Sequence, residues 1–142
     1  MTSTVVMRTL SWLHRAGVKV TGGRFGGTLV GLPSLELLTV GRRSGKERSS
    51  MLTAPLTLGQ TLVVVASAGG NDEHPSWFLN LRDHPQVRVS LGGGPMVDMV
   101  ARVTTPDERD ELWPRIVEAL ANYGEYQTRT TRVIPVVLLE PV

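Results

Sequence analysis

The spacing of hydrophobic positions along the chain predicts a mainly β domain. Six apolar or β-branched runs are typical of strands. They span residues 35–40, 48–58, 61–67, 87–91, 96–105 and 133–139. Short glycine-containing connections at 59–60 and 92–95 predict β-hairpins. Antiparallel hairpins with few helices exclude a parallel α/β sheet. We therefore expect an α+β fold, a six-stranded, partly closed antiparallel barrel with helices at its ends.

One proline determines where the second predicted strand can lie in the sheet. Pro55 lies inside the run 48–58, and proline has no N–H to donate to a sheet. We therefore expect residues 48–58 to form a single edge or bulged strand. The next run, 61–67, is strongly β-branched, so we expect it in the interior of the sheet.

Two internal helices carry clear start signals. Pro75 suits the first position of a short helix over residues 76–82. Thr105 is a candidate N-cap, followed by a proline and two acidic residues, as helix N-termini favour. The apolar stripe after it predicts a helix that continues to about Tyr123.

The N-terminal residues 1–16 mix apolar and cationic positions and predict an amphipathic helix. Two interpretations are open: a helix packed on the edge of the domain, or a peripheral membrane contact in which Trp12 lies beside Arg8. The chain has no internal repeat and no linker. We expect one domain over residues 1–142, with residues 1–21 as a helical extension.

Composition and charge narrow the class of protein. A hydrophobic fraction of 41% and a charged fraction of 20% are typical of globular proteins. The net charge of +2 is too small to indicate a nucleic-acid partner. The chain has no cysteine, which excludes disulfides and thiol-based metal sites. No apolar run approaches the roughly 20 residues of a spanning helix, and no signal peptide is recognisable, so we expect a cytoplasmic protein.

The first predicted strand leads into a cationic loop. Its charged and small residues are Arg42, Arg43, Ser44, Gly45, Lys46 and Arg48. Glycine lets the backbone approach a ligand closely, and Arg and Lys donate charge-assisted hydrogen bonds to phosphate or carboxylate groups. The spacing is not that of a P-loop. A solvated cationic hairpin without a ligand is the alternative interpretation.

A second candidate segment follows the strand that ends at residue 67. Its small residues are Ala66, Ser67, Ala68, Gly69 and Gly70. A strand end followed by a helix start leaves backbone N–H groups free to bind the carbonyls of a planar ring. Trp77 is a candidate wall of that pocket, or alternatively a core anchor of the helix.

Tyr123 and Tyr126 form a third candidate group, because two phenols can cover a ring or donate a proton to a substrate. Packing against the core is the alternative. His14, His74 and His84 lie in different segments without metal-binding spacing, and the Gly-x-Ser-x-Gly elbow of a serine hydrolase is missing. These patterns predict a pocket for an anionic, planar ligand and specify no reaction.

Four segments together resemble the deazaflavin-dependent nitroreductase and quinone reductase family of actinobacteria. They read LLTVGRRSG at 37–45, ASAGG at 66–70, HPSWFLNL at 74–81 and Tyr-x-x-Tyr-Gln at 123–127. The resemblance implies a split β-barrel related to flavin reductases, with coenzyme F-420, a reduced 8-hydroxy-5-deazaflavin, as cofactor. It also implies hydride transfer to a quinone, an enone or a nitro compound.

The resemblance also implies roles for individual residues. The phosphate and glutamate tail of the cofactor would be held by Arg42, Arg43, Ser44, Gly45, Lys46 and Arg48. The ring would be lined by the backbone of Ala66, Ser67, Ala68, Gly69 and Gly70, and the pocket completed by Pro75, Trp77 and Asn80. Ser67, Tyr123 and Tyr126 would face the substrate, with a tyrosine or a water as proton donor.

The chain departs from this family at four positions. Ala68 stands where relatives often have lysine, which removes one cationic contact to the cofactor. Leu120 replaces an aromatic residue of the substrate pocket, and Met51 and Thr53 replace a proline and a tyrosine. The resemblance therefore specifies the cofactor better than it specifies the substrate.

Two other functions remain open from the sequence alone. The same barrel also suits a non-catalytic carrier of a deazaflavin, a flavin or a lipid, or an FMN-dependent reductase. The chain also leaves open whether it is a monomer or a homodimer. Contact between the N-terminal helix and the inner membrane face is a further expectation.

Overall fold

The computed structural model describes residues 32–142. The predicted helix over residues 1–16, with its membrane contact, lies outside the described residues. In chain order the elements are β1 (Ser34–Val40), β2 (Glu47–Thr53), β3 (Leu56–Leu58), β4 (Thr61–Val65), a 3-10 helix (Ala68–Gly70), α1 (Ser76–Asp83), β5 (Gln86–Leu91), β6 (Met96–Val103), α2 (Pro106–Ala119), α3 (Asn122–Thr128) and β7 (Val136–Pro141).

The strands form one curled antiparallel sheet. Its order is β2-β1-β5-β6-β7-β4-β3, so that within residues 32–142 it has seven strands, with β2 and β3 at its two edges. Only Ala54 and Pro55 separate these two strands in sequence, so the sheet must curl to bring its edges together. The predicted α+β fold with a partly closed antiparallel barrel is confirmed, and the predicted number of strands was one too low.

The single strand predicted over residues 48–58 is wrong. Pro55 does not make a bulge: the chain leaves β2 at Thr53, and β3 begins at Leu56. β2 pairs with β1, whereas β3 pairs with β4. Ala54 donates its N–H to the carbonyl of Pro33 at 2.9 Å, which holds the chain where it passes from one edge of the sheet to the other.

β4 is buried on both faces, which explains its continuous apolar run. Leu62 and Val64 belong to the core inside the barrel, together with residues of β1, β5 and α1. Val63 and Val65 face the opposite way, into a second core that includes Leu112 of α2 and residues of β7. The expected interior position of this strand is confirmed.

The helix start at Thr105 is confirmed and rests on a capping box. The Thr105 side chain accepts a hydrogen bond from the Glu108 N–H at 3.2 Å, and the Glu108 carboxylate accepts one from the Thr105 N–H at 2.8 Å. Glu108 also pairs with Arg102 of β6 at 2.8 Å. These contacts fix the first turn of α2 against the sheet.

The predicted continuation of this helix to Tyr123 is wrong. α2 ends at Ala119, and Leu120 has an extended backbone, with φ −146° and ψ 105°. Tyr123 lies in a separate helix, α3, which folds back on α2. Gly124 permits this approach, since a Cβ there would lie 3.3 Å from a methyl group of Val117. No helix within residues 32–142 is long and apolar enough to cross a membrane.

Candidate functional site

The cationic loop, residues 41–48, contains the tight turn between β1 and β2 and the first two residues of β2. Gly41 donates its N–H to the Lys46 carbonyl at 2.8 Å, and Gly45 donates to the Gly41 carbonyl at 2.9 Å. A Cβ at Gly41 would lie 2.7 Å from the Ser44 hydroxyl, and Gly45 has a φ of +72°. Gly45 suits the positive φ of the turn, and Gly41 leaves room for the Ser44 hydroxyl and the Lys46 carbonyl.

Three cations of this loop carry no partner within residues 32–142. The side chains of Arg43, Lys46 and Arg48 are exposed and make no hydrogen bond or ion pair there. Ser44 uses its hydroxyl to accept a hydrogen bond from the Lys46 N–H at 3.1 Å. The loop therefore offers free guanidinium and ammonium groups to an anion.

Arg42 behaves differently from its neighbours, because it is tied to α1. Its backbone N–H and its guanidinium both donate to the Asn80 side-chain carbonyl, at 3.2 Å and 2.9 Å. The Asn80 amide nitrogen donates in turn to the Thr39 hydroxyl at 3.2 Å. Asn80 is 4% exposed, so this network joins the base of the cationic loop to the helix that carries Trp77.

The glycine turn, residues 66–70, ends β4 in a left-handed bend. Ala68, Gly69 and Gly70 have φ values of 46°, 65° and 86°, a run that glycine tolerates and alanine rarely adopts. A Cβ at Gly70 would lie 2.7 Å from the carbonyl oxygen of Tyr126. The turn therefore packs directly against α3.

A cavity of about 390 Å³ lies between the turn, α1, α3 and β2, a size typical of small-molecule sites. The turn contributes Ser67, Ala68 and Gly69, and α1 contributes Trp77. The remaining lining includes Met51, Leu52, Thr53, Leu120, Tyr123 and Tyr126. Met51, Thr53, Ala68 and Leu120, the four positions at which the chain departs from the family that it resembles, thus all line the cavity.

Trp77 satisfies both interpretations of its role. It is 8% exposed and belongs to the core inside the barrel, yet part of its surface faces the cavity. A wall that is itself anchored in the core is rigid. Such a wall suits a planar ligand, because little side-chain freedom is lost when the ligand binds.

Three hydroxyl groups face the cavity without partners. Those of Ser67, Tyr123 and Tyr126 make no hydrogen bond within the described residues, and none is an unsatisfied buried group. The two phenol rings meet edge to face, 6.0 Å between centroids. Burial, and to a lesser degree Tyr126, raises the pKa of the Tyr123 phenol, so Tyr123 keeps its proton throughout the neutral range.

Not every predicted site residue reaches the cavity. Ala66, Gly70, Pro75 and Asn80 are not part of its lining: Pro75 is the N-cap residue of α1, one position before the helix. No residue of the cationic loop lines the cavity. Direct cofactor contacts by these residues stay predictions.

Arg132 is a residue that the sequence patterns did not single out. It lies between α3 and β7, and its guanidinium donates to backbone carbonyls of the glycine turn, including that of Ser67 at 2.9 Å. Gln127 is also part of this arrangement: its side chain accepts from the Ile134 N–H at 3.0 Å and donates to the Arg132 carbonyl at 2.7 Å. The Tyr-x-x-Tyr-Gln segment was noticed, but the structural role of its glutamine was not.

Known proteins are similar to this chain in both sequence and fold. The F420H(2)-dependent quinone reductase Rv1261c of Mycobacterium tuberculosis is 37% identical over 131 residues, which cover 89% of this chain and 87% of that protein. A solved F420-H2 dependent reductase, FDR-A, is 38% identical with a TM-score of 0.66, and the match covers 75% of this chain and 93% of that one.

A second solved structure, described as a domain-swapped dimer, is 34% identical with a TM-score of 0.68 and covers 92% of this chain and 98% of its own. The family model described as F420H(2)-dependent quinone reductase matches residues 8–141. The predicted split β-barrel and the predicted family are confirmed. The chain belongs to the family of F420H(2)-dependent quinone reductases.

Proposed function

We propose that this member of the family is an oxidoreductase that reduces a quinone, with reduced coenzyme F-420 supplying the hydride when bound. Its family membership and its likeness to a solved F420-H2 dependent reductase support the cofactor. The relatives named as quinone reductases support the acceptor. Enones and nitro compounds are alternative acceptors of the same kind.

The observation that carries the proposal is the link between Arg42 and Asn80. A deazaflavin cofactor has a phosphate and glutamate tail at one end and a planar ring at the other. Its site therefore needs cations near the tail and a cavity that accommodates the ring. Asn80 lies one helical turn after Trp77, and Trp77 faces the cavity. The hydrogen bonds to Arg42 therefore tie the base of the cationic loop to the helix whose Trp77 faces the cavity.

The residues of the cationic loop fit the tail of the cofactor. Arg43, Lys46 and Arg48 have unused donors, and phosphate and carboxylate groups are the acceptors that such donors bind most strongly. Ser44 and Gly45 shape the turn, and Arg42 fixes its base. In this arrangement the loop contributes affinity and takes no part in the reaction.

The cavity fits the ring. Ala66 leads into the glycine turn, where Ser67, Ala68 and Gly69 present backbone at the cavity surface. The N–H groups of Ala68 and Gly69 make no hydrogen bond within residues 32–142, and so remain available to ring carbonyls. Gly70 and Pro75 hold the two ends of this segment, at α3 and α1. Trp77 forms a rigid apolar wall.

Reduction of a quinone to a quinol requires a proton in addition to the hydride. Ser67, Tyr123 and Tyr126 supply the free hydroxyl groups of the cavity. We assign the proton donor to a tyrosine, or to a water held by one. Tyr126 is the half-buried member of the pair and stays accessible to solvent, from which its proton can be replaced.

The surroundings of the reaction are also part of the proposal. A solved relative is described as a domain-swapped dimer, and we expect this chain to form a homodimer rather than remain a monomer. We place it in the cytoplasm. Contact of residues 1–16 with the inner membrane face is also part of the proposal.

The proposal is tested by titrating the purified protein with reduced F-420 and, separately, with FMN, and then adding menadione while cofactor oxidation is followed. We expect binding of reduced F-420 and menadione-dependent oxidation. Binding without turnover would instead identify a carrier. Binding of FMN alone, or of neither cofactor, would contradict the cofactor assignment.

A further inference from the structure

The guanidinium of Arg132 is hydrogen-bonded to the glycine turn on the side that faces away from the cavity. Its Nη2 donates to the Ser67 carbonyl at 2.9 Å and its Nη1 to the Ala66 carbonyl at 3.2 Å. Its Nε donates to the Asn71 carbonyl at 2.8 Å, and Nη1 also meets Nδ1 of His74 at 3.2 Å. One side chain thus contacts four successive parts of the segment that leads from β4 to α1.

Arg132 is itself held in place by the helix that carries the tyrosines. The Gln127 side chain donates to its backbone carbonyl at 2.7 Å. Gln127 is oriented in turn by Arg109 of α2, which donates to its side-chain oxygen at 3.0 Å. The wall with Tyr123 and Tyr126 and the wall with the glycine turn are therefore joined through Arg132.

This arrangement determines which way the peptide groups of the turn point. In a trans peptide the C=O and N–H groups point in opposite directions. Because the carbonyls of Ala66 and Ser67 point at Arg132, the N–H groups of Ser67 and Ala68 point away from it. Both of these residues line the cavity, whereas Arg132 does not, and neither N–H is hydrogen-bonded within residues 32–142.

The bend that results is one that the chain does not adopt by preference. Ala68 has a φ of 46°, and it is the one residue other than glycine with a positive φ within residues 32–142. Such a conformation persists where surrounding contacts enforce it. The four contacts of Arg132 lie on either side of this residue, so they contribute to that enforcement.

We propose that Arg132 is a positioning residue of the cofactor site, which orients the Ser67 and Ala68 peptide groups toward the ring and couples the glycine turn to the tyrosine helix. This inference rests on the proposed function. Arg132 touches neither the cofactor nor the substrate in this assignment. It acts through the backbone of the turn.

Arginine is specifically suited to this task, and lysine is not. The planar guanidinium places five donors in a fixed fork, which matches acceptors spread around it in a plane, whereas an ammonium is a single point at the end of a flexible chain. Arg132→Lys therefore keeps the charge and loses the geometry. Arg132→Met keeps much of the length and loses every hydrogen bond.

The test compares Arg132→Lys and Arg132→Met with wild type and with Arg115→Met. Arg115 lies on α2 and its side chain makes no hydrogen bond or ion pair within residues 32–142, so it is the matched control. Hydrogen exchange of the hydrogen-bonded backbone amides of the turn, those of Gly70, Asn71 and Glu73, is measured first, without any cofactor. The dissociation constant of reduced F-420 and the separate KM values for cofactor and menadione are measured next.

For both Arg132 variants we expect exchange of the Gly70, Asn71 and Glu73 amides to accelerate by about tenfold or more, since the opening of a segment is governed by the contacts that hold it. We expect the dissociation constant and the KM of reduced F-420 to rise by about tenfold, while the KM of menadione changes less than about twofold. The Arg115 variant should match wild type in every measurement.

The proposal is overturned if Arg132→Lys binds reduced F-420 as wild type does, or if exchange of the Gly70, Asn71 and Glu73 amides stays unchanged. It is also overturned if both KM values rise together, since that is the result of a general loss of structure. Failure of the proposed function gives a different result, because wild type itself would then not bind reduced F-420. The exchange measurement still decides in that case whether Arg132 orders the turn.

Discussion

Arg42 and Asn80 lie 38 residues apart in sequence, and two hydrogen bonds join them at the base of the cationic loop. Asn80 is almost fully buried, and its side-chain amide nitrogen donates a hydrogen bond to the Thr39 hydroxyl at the end of β1. A polar side chain in this environment is stable only with its partners in place. The position of the charged loop relative to the cavity is therefore a fixed property of the fold.

Removal of Asn80 is expected to destabilise the protein. Asn80→Ala leaves the Arg42 N–H and the Thr39 hydroxyl without their partner, which should lower the free energy of unfolding by about 1–3 kcal/mol. Urea unfolding measures this change. A double-mutant cycle with Arg42→Ala should give a coupling energy of about 0.5 kcal/mol or more. Strictly additive effects of the two substitutions would show that the contact does not contribute.

Arg43→Ala is expected to weaken the binding of reduced F-420 by about 1–3 kcal/mol, if one charge-assisted hydrogen bond to the tail is lost. Stability should not change, because the Arg43 side chain is exposed and has no partner within residues 32–142. Equilibrium titration measures the affinity. Arg115→Ala is the control for the loss of a positive charge. Equal dissociation constants for Arg43→Ala and wild type would remove Arg43 from the site.

Tyr126→Phe is expected to slow turnover with little change in cofactor affinity. The substitution keeps the ring that packs edge to face on Tyr123 and removes the free hydroxyl. If this hydroxyl supplies the proton, the rate should fall by about 10²-fold or more. Steady-state kinetics with menadione measure the effect, with Tyr123→Phe as the comparison. An unaltered turnover number would exclude Tyr126 from the mechanism.

His74 is expected to make stability depend on pH in the acidic range. Burial, the charge of Arg132 and the charge of Arg82 lower the pKa of His74 below its ordinary value of 6.5. The unfolded chain therefore takes up this proton at a higher pH than the folded protein does. The corresponding stability is complete above about pH 6.5 and is lost as the pH falls through the lowered pKa.

The comparison variant for His74 is His74→Gln, whose amide can accept a hydrogen bond from Arg132 but does not titrate. Urea unfolding of both proteins between pH 5 and pH 8 isolates the histidine contribution from that of the carboxylates. We expect the difference in unfolding free energy to grow in favour of the variant as the pH falls. A difference that stays constant with pH would contradict the assignment.

Local signals predicted the local parts of the fold. Thr105 and the acidic residues after it are sufficient to place the start of α2, because the capping box involves neighbours in sequence. The glycine-containing hairpins between β3 and β4 and between β5 and β6 were also found. The break after Ala119 was missed, because the approach of Gly124 to Val117 depends on how two helices pack.

Long-range relationships were not accessible in the same way. The edge position predicted from Pro55 is confirmed, but the break there was missed, because nothing near it in sequence specifies that β2 and β3 pair at opposite edges of the sheet. Arg132 was missed for a related reason: its partners His74 and Ala66 lie 58 and 66 residues away. Motif resemblance identified the residues around the cavity, and only the folded structure shows which of them face it and which hold others in place.

The central claim is that one ligand reaches from the cationic loop to the cavity beside Trp77. The most direct test measures the affinities of complete reduced F-420 and of its ring fragment without phosphate and glutamates, using wild type, Arg43→Ala and Trp77→Leu. We predict that Arg43→Ala weakens only the complete cofactor, whereas Trp77→Leu weakens both ligands. If Arg43→Ala affected the fragment and the complete cofactor equally, or neither of them, the loop and the cavity would not share one ligand.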